Sequence, residues 1–351
     1  MKKFIVTILC MFSIFNCKGQ IAKYGNDFLN IGNSAREMAL GRCAVASCYG
    51  AEAGFWNPSL MFASDYKSDI SAMHCFYFGE LANYDFLSAC HQTDSLMSLG
   101  FSFIRLGIDD IQNTIYLFDY DGNMNFSNIS YFSVADYALY FSIGKKFANI
   151  PNLSVGANVK LIFRHQGNFA NAYGFGIDLA SSYKINNFSF GLVLRDITTT
   201  FDIWNINKSK FDSVYVSTGN SIPENSIEQT APSVLFSIAY KYNWNNFQFL
   251  AEIGSQITFD GKRNYLISSN FANLNPSAGL EISYRDFVYF RMGITDFMKN
   301  NNVYISKSYS YVPSLGIGIK FNRFSFDYCF MDASKNSYDY RTNVFSLGVK
   351  F

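Results

Sequence analysis

Charge is scarce in this chain. Asp, Glu, Lys and Arg make up 16% of its 351 residues, against about a quarter in ordinary soluble domains. The 28 basic and 27 acidic residues leave a net charge of +1, so there is no basic footprint for nucleic acid and none is expected as a partner. Long apolar runs are also missing. The longest, Phe4 to Phe15, is far short of the roughly 20 residues a membrane-crossing helix needs, which excludes a multi-span helical fold. The only histidines are His74, His91 and His165, and none lies in H-E-x-x-H or a Cys/His metal spacing, so no metal or other cofactor is expected. An enzyme reading rests on His165 activating a nearby Ser; the competing reading makes His165 a rim or lumen residue. The runs Asp109-Asp110 and Asp119 to Asn123 lack the closing Glu of a calcium loop and read as polar turns.

What is present is apolar and aromatic: 49% hydrophobic residues, with 37 Phe and 24 Tyr. A disordered chain lacks such surface to bury, and aromatics with only six Pro favour strands. The amino terminus reads as an export signal over residues 1–19. Met1-Lys2-Lys3 is a cationic start, Phe4 to Phe15 an apolar core, and Cys17-Lys18-Gly19 a small-residue cleavage site before Gln20. Lipidation at Cys17 is the alternative, although Phe15 and Asn16 stand where a lipobox has small residues. Five cysteines then remain, an odd number at irregular spacing and no disulfide framework. Cys43 and Cys48 read as small buried hydrophobes, with pairing in an oxidising compartment as the alternative.

From Leu153 onward, apolar residues recur with period two. Leu153, Val155, Ala157, Val159, Leu161 and Phe163 form one such set, Phe188, Phe190, Leu192 and Leu194 another, and Leu315, Ile317, Ile319 and Phe321 a third. In a strand these sets lie on one face. The opposite face carries Gly, Ser and single charges: Lys160, Asp178, Arg195, Lys241, Glu252, Glu281, Arg291, Lys320, Asp327 and Lys350. A lipid-facing exterior and a polar lumen account for both faces, with aromatics such as Tyr240, Tyr242 and Trp244 at the interfacial girdle. The Gly-x-Gly pieces Gly174 to Gly176 and Gly316 to Gly318 then read as lumen-side packing positions.

Connection lengths separate this from a soluble sandwich. Tight turns at Ala148 to Asn152, Ile185 to Asn187, Asn243 to Asn246, Arg285-Asp286 and Asn322-Arg323 alternate with longer connections at Gly107 to Val134, Asp196 to Ala231, Asp260 to Asn275 and Asp296 to Tyr311. Outer-membrane barrels have short periplasmic turns and longer outside loops. The expected fold is therefore all-β, a transmembrane outer-membrane β-barrel of about 14 antiparallel strands over residues 66–351, with both termini periplasmic. The first two strands, near Asp69 to Tyr77 and Asn83 to His91, are weakly marked.

Residues 20–65 differ, and read as a short helical plug or latch inside or beneath the lumen. Ser34-Ala35-Arg36-Glu37 has capping-box spacing, Gly41 offers a helix stop, and Asn57-Pro58 after Trp56 initiates a turn. An ordered periplasmic extension is the alternative.

Phe28 to Gly32 with Ser34-Ala35-Arg36, Leu40-Gly41 and Phe55-Trp56-Asn57-Pro58-Ser59-Leu60 resembles the amino-terminal signature of the PorV/PorQ outer-membrane proteins of Bacteroidota. That family is in turn similar to FadL-type channels, whose fourteen-stranded barrels carry an amino-terminal hatch. The resemblance continues through Phe103 to Asp110, Leu194 to Phe201 and Ile257 to Asn264, and departs from the family at Arg42-Cys43, where relatives continue with small residues. It implies, at the level of the class, a non-enzymatic role in type IX secretion. Secretion-system proteins or secreted cargo would be partners beside the outer-membrane lipids, met through long loops bearing Tyr116, Phe118, Phe201 and Trp204. The alternative is passive uptake of a hydrophobic small molecule, gated by the segment Asn33 to Leu60.

Overall fold

The computed structural model describes residues 20–62, 66–118, 121–210, 221, 223–300, 308–333 and 341–351. The export segment with Cys10 and Cys17, and Asp119-Tyr120 of the second acidic run, lie outside the described residues. Fourteen antiparallel strands close into a barrel. They are β1 Ser68–Tyr77, β2 Ala82–Gln92, β3 Met97–Asn113, β4 Ser130–Phe147, β5 Ile150–Gln166 and β6 Ala170–Ile185. β7 is Phe188–Arg195 continued by Thr200–Ile206, and β8 is Ser226–Thr230 continued by Ser233–Trp244. Then come β9 Phe247–Thr258, β10 Asn273–Tyr284, β11 Val288–Asn300, β12 Ser308–Phe321, β13 Phe324–Asp332 and β14 Arg341–Lys350. Both pieces of β7 pair with β6 on one side and with β8 on the other. The weakly marked first strands pair in full register from Ser68↔His91 to Tyr77↔Ala82, and β14 closes on β1 from Lys350↔Asp69 to Asn343↔Phe76.

Side-chain alternation builds the two faces. Leu161, Leu179, Leu192, Ile253, Leu280, Ile317 and Leu347 are exposed on the outside, while Asn158, Lys160, Asp178, Glu252 and Arg291 are buried in the lumen. An apolar outside around a polar inside is the arrangement of a barrel solvated by lipid at its waist. At one end the strands are joined by tight turns whose first residues, Asn186, Asn245 and Asn322, have φ near +50° (51°, 51° and 53°), a region Asn tolerates better than most residues. The opposite end carries the longer connections.

Several of those connections are shorter than expected because strands run on into them. The connection expected over Gly107 to Val134 shrinks to residues 114–129, and Asp109-Asp110 sits in a β3 bulge between Ile108 and Ile111, not in a turn. The connection expected over Asp196 to Ala231 contains two strand pieces, Thr200–Ile206 and Ser226–Thr230, so Phe201 and Trp204 belong to the wall. The interruption has a local cause: Asp196 and Thr199 both take positive φ (56° and 61°). That break hides the period-two continuation that follows it.

The lumen is filled by residues 26–62. Helix α1 is Ala35–Ala39 and helix α2 is Gly50–Trp56. α1 starts at Ser34, whose Oγ accepts the Glu37 amide at 3.4 Å, and ends where Gly41 takes φ 67°. The small residues from Ala39 to Gly54 concealed α2 in the sequence; they serve to bring its backbone close to the wall. Phe55 is its anchor, packed edge-on against Trp56, Phe86 and Tyr140 with centroids 5.5, 6.1 and 5.4 Å away.

The described chain ends lie at different levels of the barrel. Lys350 is at the short-turn rim, whereas Gln20–Ile21 runs parallel to Glu228–Gln229 in the long-connection half. The amino terminus, expected in the periplasm, lies outside the described residues. Gln20–Ile21 docks where it does because β9 pairs with β8 only up to Ser233↔Thr258 and leaves Ser226–Thr230 with one free edge. An unpaired edge invites another strand, and the Ala22 amide bonds the Gln229 carbonyl at 2.8 Å.

Candidate functional site

The Trp56-Asn57-Pro58 block fastens the lumen segment. The fully buried Asn57 side chain accepts from the Ser59 amide (3.2 Å) and hydroxyl (2.6 Å), and its Nδ2 donates to the carbonyls of Val45 (2.8 Å) and Ser181 on β6 (3.4 Å). Pro58 opens the 3-10 turn Pro58–Leu60, where a missing amide hydrogen costs nothing. Trp56 and Phe55 lie under the Arg195 guanidinium, 5.3 and 4.9 Å from their ring centroids, and Arg195 Nη1 donates to Asn30 Oδ1 at 3.2 Å. Such cation–π contacts contribute about 0.5–2 kcal/mol each.

The lumen charges expected from parity join this fastening. Glu281 binds Arg36 Nε at 3.0 Å and Arg291 Nε at 2.6 Å, and Arg291 reaches Asp327 at 2.6 Å. Glu37 pairs with Arg36 at 3.3 Å. Lys160 bridges Asp178 (2.9 Å) and Asp196 (2.6 Å), so the break in β7 is itself tied into the lumen. Glu252 Oε1 accepts the Ala46 amide at 2.9 Å and the Ser237 hydroxyl at 2.5 Å. Lys241 and Lys320 stand apart from these networks, at the short-turn mouth. Buried pairs of this kind specify one arrangement more than they add stability, since desolvation offsets much of the attraction.

Arg42, the departure from the resembled pattern, ties the segment to β11: it pairs with Asp296 and its Nη1 donates to the Asn30 carbonyl at 2.9 Å. Neither this role nor that of Phe55 was assigned from sequence. Gly293 and Gly41 face each other closely enough that a β-carbon on Gly293 would collide with the Gly41 nitrogen. The Gly-x-Gly positions are lumen-facing as expected: a β-carbon on Gly316 would meet Ala39, and one on Gly318 would meet Asp327 and Arg291.

Among the described residues, two large cavities flank the plug. On the long-connection side a 440 Å³ cavity is walled by Ile31, Met38, Tyr77, Phe78, Val312 and Met331, with Arg42 and Asp296 at its edge. On the short-turn side a 580 Å³ cavity has polar walls. Both volumes fall in the range of small-molecule pockets, about 300–1,000 Å³. Smaller voids of 40 and 30 Å³ lie against the segment, the first lined by Asn30, Cys43 and Ser237 and the second by Asn26, Leu29 and Thr258.

The remaining candidates separate. Tyr116 and Phe118 lie in the β3–β4 connection, 55% and 56% exposed. Phe201 is half-buried on the wall, and Trp204 is half-buried with its Nε1 donating to Glu228 at 2.8 Å and its ring 5.1 Å from the Arg164 guanidinium, so it is not a free loop anchor. His165 Nδ1 lies 2.7 Å from Asn171 Oδ1, and no serine is hydrogen-bonded to it among the described residues. Cys43 and Cys48 are buried free thiols, which decides against their pairing.

No protein-family model matches the chain, and no curated protein does. Solved structures do. The CymD monoaromatic hydrocarbon channel superposes with a TM-score of 0.60 at 12% identity, covering 92% of this chain and 98% of that one. The Ralstonia pickettii toluene transporter TbuX gives 0.55 at 11% identity, with 91% and 98% covered. A Pseudomonas aeruginosa FadL homologue gives 0.53 at 13% identity, with 91% and 98% covered. At such identities the likeness shows the fold, a FadL-type outer-membrane barrel. None of these three is a PorV/PorQ protein, and the likenesses give a secretion role no support.

Proposed function

We propose that the protein is a non-enzymatic outer-membrane channel for the passive passage of a hydrophobic small molecule, with residues 33–60 as its gate. One observation carries this reading: a 440 Å³ cavity whose walls are mostly apolar, on the long-connection side of a plugged barrel. Polar walls would be expected of a site for sugars or ions; Ile31, Met38, Val312 and Met331 instead reward a ligand for leaving water, at about 25 cal/mol per Å² of apolar surface. The fold likeness to hydrocarbon and toluene channels supports the same reading. In it residues 1–19 are removed on export, the short turns face the periplasm and the longer connections face outside. The ligand enters the apolar cavity from the outside, and the segment must shift to let it through, since its buried side chains, Arg36, Phe55 and Trp56 among them, occupy the lumen. The test is binding of the apolar fluorophore N-phenyl-1-naphthylamine to the detergent-solubilised protein, with toluene and a fatty acid as competitors. Saturable fluorescence that either competitor displaces, and that Val312→Asp abolishes, is the expected result. Binding that Val312→Asp leaves unchanged overturns the assignment of the cavity.

A further inference from the structure

The cavity on the short-turn side has a different chemistry, which hydrophobic passage does not use. Its walls carry Lys184 on β6, Lys241 on β8, Lys320 on β12 and Lys350 on β14, with Arg36 of the plug at its inner end. Its carboxylates are Glu281 and Asp286, and both are taken. Glu281 holds Arg36 and Arg291, and Asp286 holds Lys320 at 2.9 Å. Lys350 lies 4.8 Å from the Tyr49 ring centroid and opposite Asp69 in strand register. Neither Lys184 nor Lys241 has a carboxylate within ion-pair distance among the described residues. Lys241 is drawn in part by the more distant Asp286 and Glu281 carboxylates, yet it and Lys184 repel each other, and that repulsion is relieved when an anion enters. The Asn187, Asn243 and Gln248 side chains and the Ser189 hydroxyl add neutral hydrogen-bonding groups beside them. Rings of Lys or Arg in a barrel mouth are the usual device for drawing anions, and Lys serves as a point charge for carboxylate or phosphate.

We propose that the short-turn mouth is a binding site for a small organic polyanion bearing carboxylate or phosphate groups, held between Lys184, Lys241 and Lys350. The site is independent of the hydrophobic-passage reading, because it lies on the other side of the plug and shares no wall residue with the apolar cavity.

The probe is pyranine, a fluorescent aromatic trisulfonate, titrated by anisotropy into the full-length mature protein in neutral detergent at low salt, with citrate and inorganic pyrophosphate as competitors. The expected result is saturable binding that weakens as salt rises and falls about tenfold or more in Lys184→Gln/Lys241→Gln, the loss expected when a charge-assisted contact or two is removed. Lys145→Gln/Arg323→Gln, outside the cavity, retains it. Preferential displacement by citrate or by pyrophosphate assigns the carboxylate or the phosphate class. The retained gel mobility shift on heating confirms that each variant keeps its barrel. Absence of saturable binding, or equal loss in the two double variants, overturns the site.

Discussion

At the scale of single residues, Asn57 shows how much one amide does. Its four hydrogen bonds join the Val45 stretch, the 3-10 turn and β6 in a site with no access for water. Asn57→Ala leaves those partners buried and unpaired, a cost of about 1–3 kcal/mol each. We expect residues 33–60 to exchange amide hydrogens at least tenfold faster in this variant while the strands stay protected; hydrogen exchange with mass spectrometry reads both, and unchanged exchange in the segment refutes the role. A second prediction concerns Glu52, whose Oε1 accepts the Ser71 hydroxyl at 2.9 Å. Burial, then the nearby Glu37 and Asp327 carboxylates, push it well above the usual value of 4.5. Below that pH the group is protonated whether the segment is docked or free, and docking loses nothing. As pH rises further, the free segment gives up the proton and the docked one does not, so docking weakens until Glu52 ionises in place. Glu52→Gln keeps the Ser71 bond and the neutral form. Segment protection is expected to fall as pH rises above the usual carboxyl value of 4.5 in the wild type and to fall less in the variant; identical slopes refute the assignment.

At the scale of elements, the plug depends on strands that let it come close. Gly293 on β11 faces the Leu40-Gly41 turn, where a β-carbon would collide with the Gly41 nitrogen and lie 2.7 Å from the Ala39 carbonyl. Gly293→Val must push that turn away, at a cost of about 1–3 kcal/mol for overpacking, while the ladder from β10 through β12 survives. Limited proteolysis is expected to cut residues 33–60 in the variant and not in the wild type, with the barrel intact on a heated and unheated gel. Uncut variant protein argues against tight docking at this turn. Period two and the Gly, Ser and charge content of one face made these wall positions legible in the sequence, as did the capping box of α1. The rest was hidden for physical reasons. β7 breaks at Asp196 to Thr199 because two positive-φ residues interrupt the alternation, which made Phe201 and Trp204 read as loop. α2 was hidden because close packing inside a barrel calls for Ala and Gly, which leave no apolar stripe. Arg42 was visible only as an oddity, since its partner Asp296 lies 254 positions away. Lys184 shares the parity of Asp178 on the same strand, but it stands one residue from the turn, where alternation carries little signal.

At the scale of the molecule, wall and plug are separable in principle. Every strand has two strand neighbours and the closure of β14 on β1 involves no plug residue, so the barrel owes its topology to its own ladders. The plug is held in the lumen through side-chain networks at Glu281, Arg195 and Glu252 and through the Asn57 contacts. Deleting residues 20–60 strips those partners from lumen carboxylates and cations, which water filling the lumen can solvate. The shortened chain is therefore expected to insert in planar bilayers as an ion-conducting pore, whereas the full-length protein stays closed at the same voltage. Adding salt should stabilise the open barrel by screening the lumen charges left without partners, within a Debye length of about 10 Å at 0.1 M. Conductance is the direct reading, and the heat-dependent gel shift shows that the shortened barrel has folded. Equal conductance in the two proteins, or a folded shortened barrel that conducts nothing, means that the closure lies elsewhere than in this segment.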